Sequence, residues 1–146
     1  MSQCPGLDPS PAIVRAETWL AIAGGARGVG WFPDVWSDPI REEIGRLSRE
    51  IVAIAPALVG EEGDVTVTPA GTPVRAGVRR LNGATYVIAV NSWLDPATVR
   101  IRVPGLGAGA VRVVGGTRTL TVRDGAFVDS LRGLRTRVYL AAPPGW

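Results

Sequence analysis

Apolar and polar positions along this chain follow two different periods. From Ser10 to Leu58 the apolar residues recur at helical spacing, and from Asp64 onward they alternate two by two between turn signals. The first helix is predicted to start at Ser10, a good N-cap. Pro11 occupies the first helical position, where a missing N–H does no harm. Ile13, Ala16, Leu20 and Ala23 supply its core face, and Gly24-Gly25 ends it. Arg27 to Pro33 holds a short apolar run, too brief for a helix. Gly28 to Phe32 within it reads as a strand buried on both faces. Asp38-Pro39 then supplies the cap and first-turn proline of a second helix, whose stripe is Ile40, Ile44, Leu47, Ile51 and Ile54. Glu42 and Arg46 form an i,i+4 pair on its solvent side.

Between Ala55 and Gly63 a proline, two glycines and two acids interrupt the pattern, and the boundary between a 1–60 unit and a 61–146 unit is placed there. Beyond it the strands are short. Val74 to Leu81 and Ala84 to Val90 flank Asn82-Gly83, the strongest two-residue hairpin signal. Val99, Ile101 and Val103 alternate with polar partners, and further strands are predicted at 110–114, 117–122, 126–128 and 137–140, with Asp124-Gly125 as a second hairpin turn. The expected fold class is α+β: a helix–strand–helix piece of a repeating βα architecture, followed by an antiparallel β-sandwich.

Composition narrows the chemistry. A chain of 146 residues with 46% hydrophobic and 20% charged residues is expected to bury a core. No apolar run is long enough for a membrane span, and residues 1–11 carry no signal-peptide core, so the compartment stays open and no membrane partner is expected. Cys4 is the single cysteine and reads as incidental; histidine is absent. An intramolecular disulfide, a Cys/His zinc site and Ser-His or Cys-His nucleophiles are therefore excluded, and no metal or cofactor is expected. The net charge is +3, and all 16 basic residues are arginines, but only Arg79 and Arg80 are adjacent. Without a basic stripe, a nucleic-acid partner is not expected.

Several residues are candidates for function. Trp31 ends the apolar run, and Asp34 and Trp36 lie in the polar loop that follows. Asp38 is better explained as a helix cap, and Glu42, Glu43, Glu61 and Glu62 read as solvated charges. Trp19 and Trp93 read as packing residues. No two carboxylates read as a catalytic pair, so no catalytic residue is assigned.

The passage Arg15 to Phe32 resembles the last helix–strand passage of (β/α)8-barrel glycoside hydrolases, with an Ala- and Gly-rich helix before a strand that ends in aromatics. The second helix resembles the eighth barrel helix. Tyr86 to Ser92, Gly125 to Asp129 and Val138-Tyr139 resemble strands of the β-sandwich that often follows such barrels. The resemblance implies the C-terminal part of such an enzyme. It would contribute an aromatic carbohydrate-binding platform at Trp31, Asp34 and Trp36 and an accessory sandwich, without the catalytic pair, since retaining members carry their two carboxylates on earlier strands. The implied partners are an oligo- or polysaccharide and either the missing N-terminal barrel portion or a second copy. The alternative is a stand-alone carbohydrate-binding or structural sandwich module that docks on a partner protein.

Overall fold

Ser10 caps the first helix, α1 (Pro11–Ala23), by accepting the Ile13 N–H on its Oγ at 3.3 Å. The computed structural model describes residues 9–32 and 36–143. In α1 the buried face is Val14, Thr18, Trp19 and Ile22, with Ala16 and Ala23; the predicted Ile13 is 39% exposed and Leu20 is half-buried. Apolar residues occur on almost every side of this helix, so spacing alone does not select the stripe. α2 (Asp38–Leu58) buries Ile40, Ile44, Leu47 and Ile54 as the spacing requires. Its N-cap is Ser37 rather than Asp38, which is the first helical residue and pairs with Arg41 at 3.3 Å. Pro56 sits inside the last turn instead of stopping the helix.

Nine strands follow among the described residues: β1 (Glu61–Gly63), β2 (Thr66–Thr68), β3 (Val74–Leu81), β4 (Ala84–Asn91), β5 (Ala97–Arg102), β6 (Gly109–Val113), β7 (Thr119–Val122), β8 (Ala126–Leu131) and β9 (Thr136–Ala141). All pairings are antiparallel, in a six-stranded sheet of order β1-β3-β4-β9-β6-β7 and a three-stranded sheet of order β2-β5-β8. The Asn82-Gly83 turn joins β3 and β4 with Leu81 facing Ala84, both turn residues at positive φ (50° and 79°), as a type I′ hairpin demands. Glu61 and Glu62, expected in a linker, pair with Arg80 and Arg79 as the edge strand β1.

β4 explains how the layers stack. Val87 and Ala89 point into a core shared with Val99, Ile101, Phe127, Leu131 and Tyr139, between the two sheets. Ile88 and Val90 point the other way, into a second core with Trp19, Ile22, Ile44, Leu47 and Leu58. The order is therefore helices, six-stranded sheet, three-stranded sheet. The α+β class and the sandwich agree with the sequence reading.

The strand expected between the helices differs. Residues 26–32 carry no strand pairing. A two-face-buried strand needs a neighbour on its edge to satisfy its backbone, and no strand of either sheet pairs with this segment.

Two close contacts hold the helices on the sheet. A Cβ on Gly77 of β3 would fall 2.1 Å from the Ala23 carbonyl oxygen, so glycine alone permits the end of α1 to rest on this strand. Beside it, Arg79 is 2% exposed. Its guanidinium donates to Leu58 O at 3.3 Å, to Ile22 O at 3.0 Å and to Val78 O at 2.9 Å. The C-terminal ends of both helices thus converge on one cation, where helix dipoles and unpaired carbonyls favour positive charge.

Candidate functional site

The loop between α1 and α2 carries the aromatic candidates, and its start is fixed by the way α1 ends. Gly25, at φ 111°, lets Ala26 N–H reach Ala21 O at 2.9 Å while its own N–H reaches Ile22 O at 3.1 Å, a Schellman closure. The chain then turns back along α1. Trp31 is half-buried, and its Nε1–H donates to Thr18 Oγ1 at 3.2 Å. The Thr18 hydroxyl in turn donates to Val14 O at 2.8 Å. Trp36 is also half-buried against the helical core, and its carbonyl accepts from Arg41 at 3.1 Å. Asp34 lies outside the described residues.

Phe32 is 97% exposed. Its ring folds back over Gly30, where a Cβ would lie 3.1 Å from the Phe32 Cε2. Sequence reasoning singled out Trp31 and passed over Phe32, although the two are adjacent in the same aromatic run. The structure gathers Trp31 and Trp36 onto the helical core, with Phe32 standing out into solvent beside Trp31.

The ionisable groups that are withdrawn from water serve packing. Glu43, expected to be solvated, is 6% exposed; it accepts from Arg15 Nε at 2.5 Å and from Arg46 Nε at 2.9 Å. It faces α1 because it lies one residue from Ile44 on the edge of the apolar stripe, within reach of an arginine on the neighbouring helix. The Arg15 guanidinium is raised, first by its hydrogen bonds to Glu50, against the opposing effect of burial, and further by Glu43. Asp129 points into the sandwich and accepts from Tyr139 Oη at 2.7 Å, Arg137 Nη1 at 2.5 Å, Arg118 Nη2 at 2.7 Å and its neighbour Ser130 N–H at 2.8 Å. Burial pulls its carboxyl upward, but these donors together hold it below the usual carboxylate range. Tyr139 is pushed well above the ordinary phenol value, by burial first and then by its bond to Asp129.

Trp19 is buried, as expected of a packing residue, but Trp93 is 63% exposed at the end of β4. Among the described residues no group of three or more His, Cys, Asp or Glu side chains is placed to hold a metal, and no helix is long and apolar enough to cross a membrane.

No family model matches the chain, and no curated protein does. Solved structures do. An Anoxybacillus α-amylase superposes with a TM-score of 0.63 at 18% identity, over 96% of this chain and 34% of the enzyme. The fold is similar to a segment of glycoside hydrolases. A putative α-galactosidase/melibiase from Bacteroides fragilis NCTC 9343 gives a TM-score of 0.61 at 15% identity, covering 94% of this chain and 30% of that protein. AmyP crystallised with maltose gives 0.57 at 18% identity, over 74% of this chain and 22% of AmyP. This glycoside-hydrolase-like chain spans about a third or less of the length of each. Identities this low support the shared fold alone.

Proposed function

We propose that this chain is a glycoside-hydrolase-related fragment that contributes a carbohydrate-binding aromatic platform and an accessory β-sandwich, without a catalytic carboxylate pair. In this reading residues 1–60 are the terminal βα unit of a barrel, residues 61–146 are the accessory sandwich, and Trp31, Asp34 and Trp36 line the sugar. The observation that carries the reading is the tether from Trp31 Nε1 to Thr18, which together with packing on the helical core holds one indole beside the exposed Phe32. A pre-set aromatic surface is what stacking against a pyranose ring needs, because little side-chain entropy remains to be lost on binding. The occurrence of maltose and maltotriose in crystals of AmyP, which shares the fold, adds weight to a glucan.

Affinity electrophoresis of the whole chain through gels containing soluble starch tests the proposal. Retardation is expected and is expected to weaken in Trp31→Ala and Trp36→Ala. Free migration of the unaltered chain, or retardation that neither substitution changes, overturns it.

One observation favours the stand-alone alternative. The helices already cover one face of the six-stranded sheet, with Leu47 and Ile88 fully buried between them. Light scattering separates the two readings: a compact monomer favours the stand-alone module, and self-association favours the fragment with an uncovered barrel face.

A further inference from the structure

The loop after β4 spends buried polar groups to hold two large apolar side chains out in water. Asn91 is 0% exposed. Its side-chain amide donates to Asp95 O at 2.7 Å, Leu131 O at 3.2 Å and Arg132 O at 3.3 Å, and its Oδ1 accepts the Trp93 N–H at 3.0 Å. Ser92 reaches Pro73 O with both its N–H and its hydroxyl. On the other side, Leu134 N–H donates to Trp93 O at 2.8 Å, and a Cβ on Gly133 would fall 1.8 Å from Leu94 O. Leu134 itself sits at φ 55°, a conformation that strains a leucine. Within this scaffold Trp93 is 63% and Leu94 81% exposed.

A loop held by these hydrogen bonds has no need of an indole in solvent for its own stability, since that exposure is unfavourable. The pair presents at most roughly 300 Å² of apolar surface, whereas a stable protein partner covers about 800 Å² per side. The patch is too small for a protein interface, and one indole face matches one sugar ring. The turn bonded to Trp93 also carries Arg132 and Arg135, both exposed and neither in an ion pair among the described residues. Asp95 is the single acid of the loop, which leaves the rim net positive. Guanidinium groups bind carboxylates in bidentate fashion.

We infer that the β4–β5 loop is a second saccharide site, built around Trp93 and selective for a sugar that bears a carboxylate. The inference rests on the carbohydrate reading above but uses none of the residues of the α1–α2 loop. Affinity electrophoresis in gels of polygalacturonate, with amylose as the neutral polymer, tests it on the full chain. Trp93→Ala is expected to weaken polygalacturonate binding roughly tenfold or more, as is the double change Arg132→Ala with Arg135→Ala, while Trp31→Ala leaves it unchanged. Circular dichroism confirms that each variant is folded.

No retardation by polygalacturonate overturns the inference even if starch binding through Trp31 holds, so the two readings fail separately. Equal weakening of amylose and polygalacturonate retardation by Trp93→Ala overturns the carboxylate selectivity. A dimer in light scattering that Trp93→Ala abolishes overturns the sugar assignment in favour of a second copy of the chain.

Discussion

Replacing Arg79 by methionine keeps most of the buried stem and removes the guanidinium on which both helices end. Leu58 O then has no side-chain donor, while Ile22 O retains the Gly25 N–H at 3.1 Å. A hydrogen bond to a charged group contributes about 1.5–3 kcal/mol, and a stranded buried carbonyl costs about 1–3 kcal/mol. Against this, the variant no longer desolvates a cation, a cost of several kcal/mol that the native protein bears. Glu62 offsets little of that cost, since it lies 3.9 Å away and is more than half exposed. The losses exceed the recovered cost, and a net destabilisation of about 1–3 kcal/mol is expected. Arg79→Lys keeps the charge but lacks the fork that spans two helices, so a smaller loss is expected. Urea unfolding, followed by far-ultraviolet circular dichroism, reads the midpoint shift. Hydrogen exchange should show faster opening at the last turns of α1 and α2 before the sheets respond. If Arg79→Met shifts stability by less than about 0.5 kcal/mol, or if the sheets open first, the cation does not anchor the helices and the reasoning is wrong.

Two further outcomes follow from the same packing. Gly77→Ala forces α1 off β3 because the new methyl meets the Ala23 carbonyl, and a loss of about 1–3 kcal/mol in urea unfolding is expected; a neutral result would mean that α1 slides freely on the sheet. Asp129 has a carboxyl held below its unfolded-state value, so the stability it contributes is present above the unfolded pKa and is lost as pH falls through the lower folded one. The midpoint should therefore decline below about pH 4, and Asp129→Asn should flatten that part of the profile. A variant that melts in acid just as the unaltered chain does would remove Asp129 from the account.

What the sequence revealed depended on whether the signal was local. Asn82-Gly83 encodes its turn in two residues, and Ile40, Ile44, Leu47 and Ile54 encode a face in one helix, so both were legible. The burial of Arg79 was not: beside Arg80 it reads as one of two surface cations, and only the meeting of two helix ends gives it partners. Glu43 failed for the same reason, since its arginine lies on the other helix. The unpaired run at Gly28 to Phe32 has the composition of a strand, but a strand is a property of its neighbours. Trp93 looked like packing because it follows an apolar strand, and nothing in its neighbours shows that Asn91 turns the loop outward. Of the candidate site, the aromatic residue types were readable, whereas the Trp31–Thr18 tether joins positions 13 residues apart and needed the fold.

The alternation along β4 makes this strand a party wall between two tenants. Val87 and Ala89 answer to the small sheet, and Ile88 and Val90 answer to the helices, so adjacent codons are tied to different parts of the chain. A change of size at position 88 calls for an answer from α1 or α2, and one at position 87 calls for an answer from β5 or β8. Relatives of this chain are therefore expected to vary in paired patches that skip every second residue of β4, each patch drifting on its own schedule.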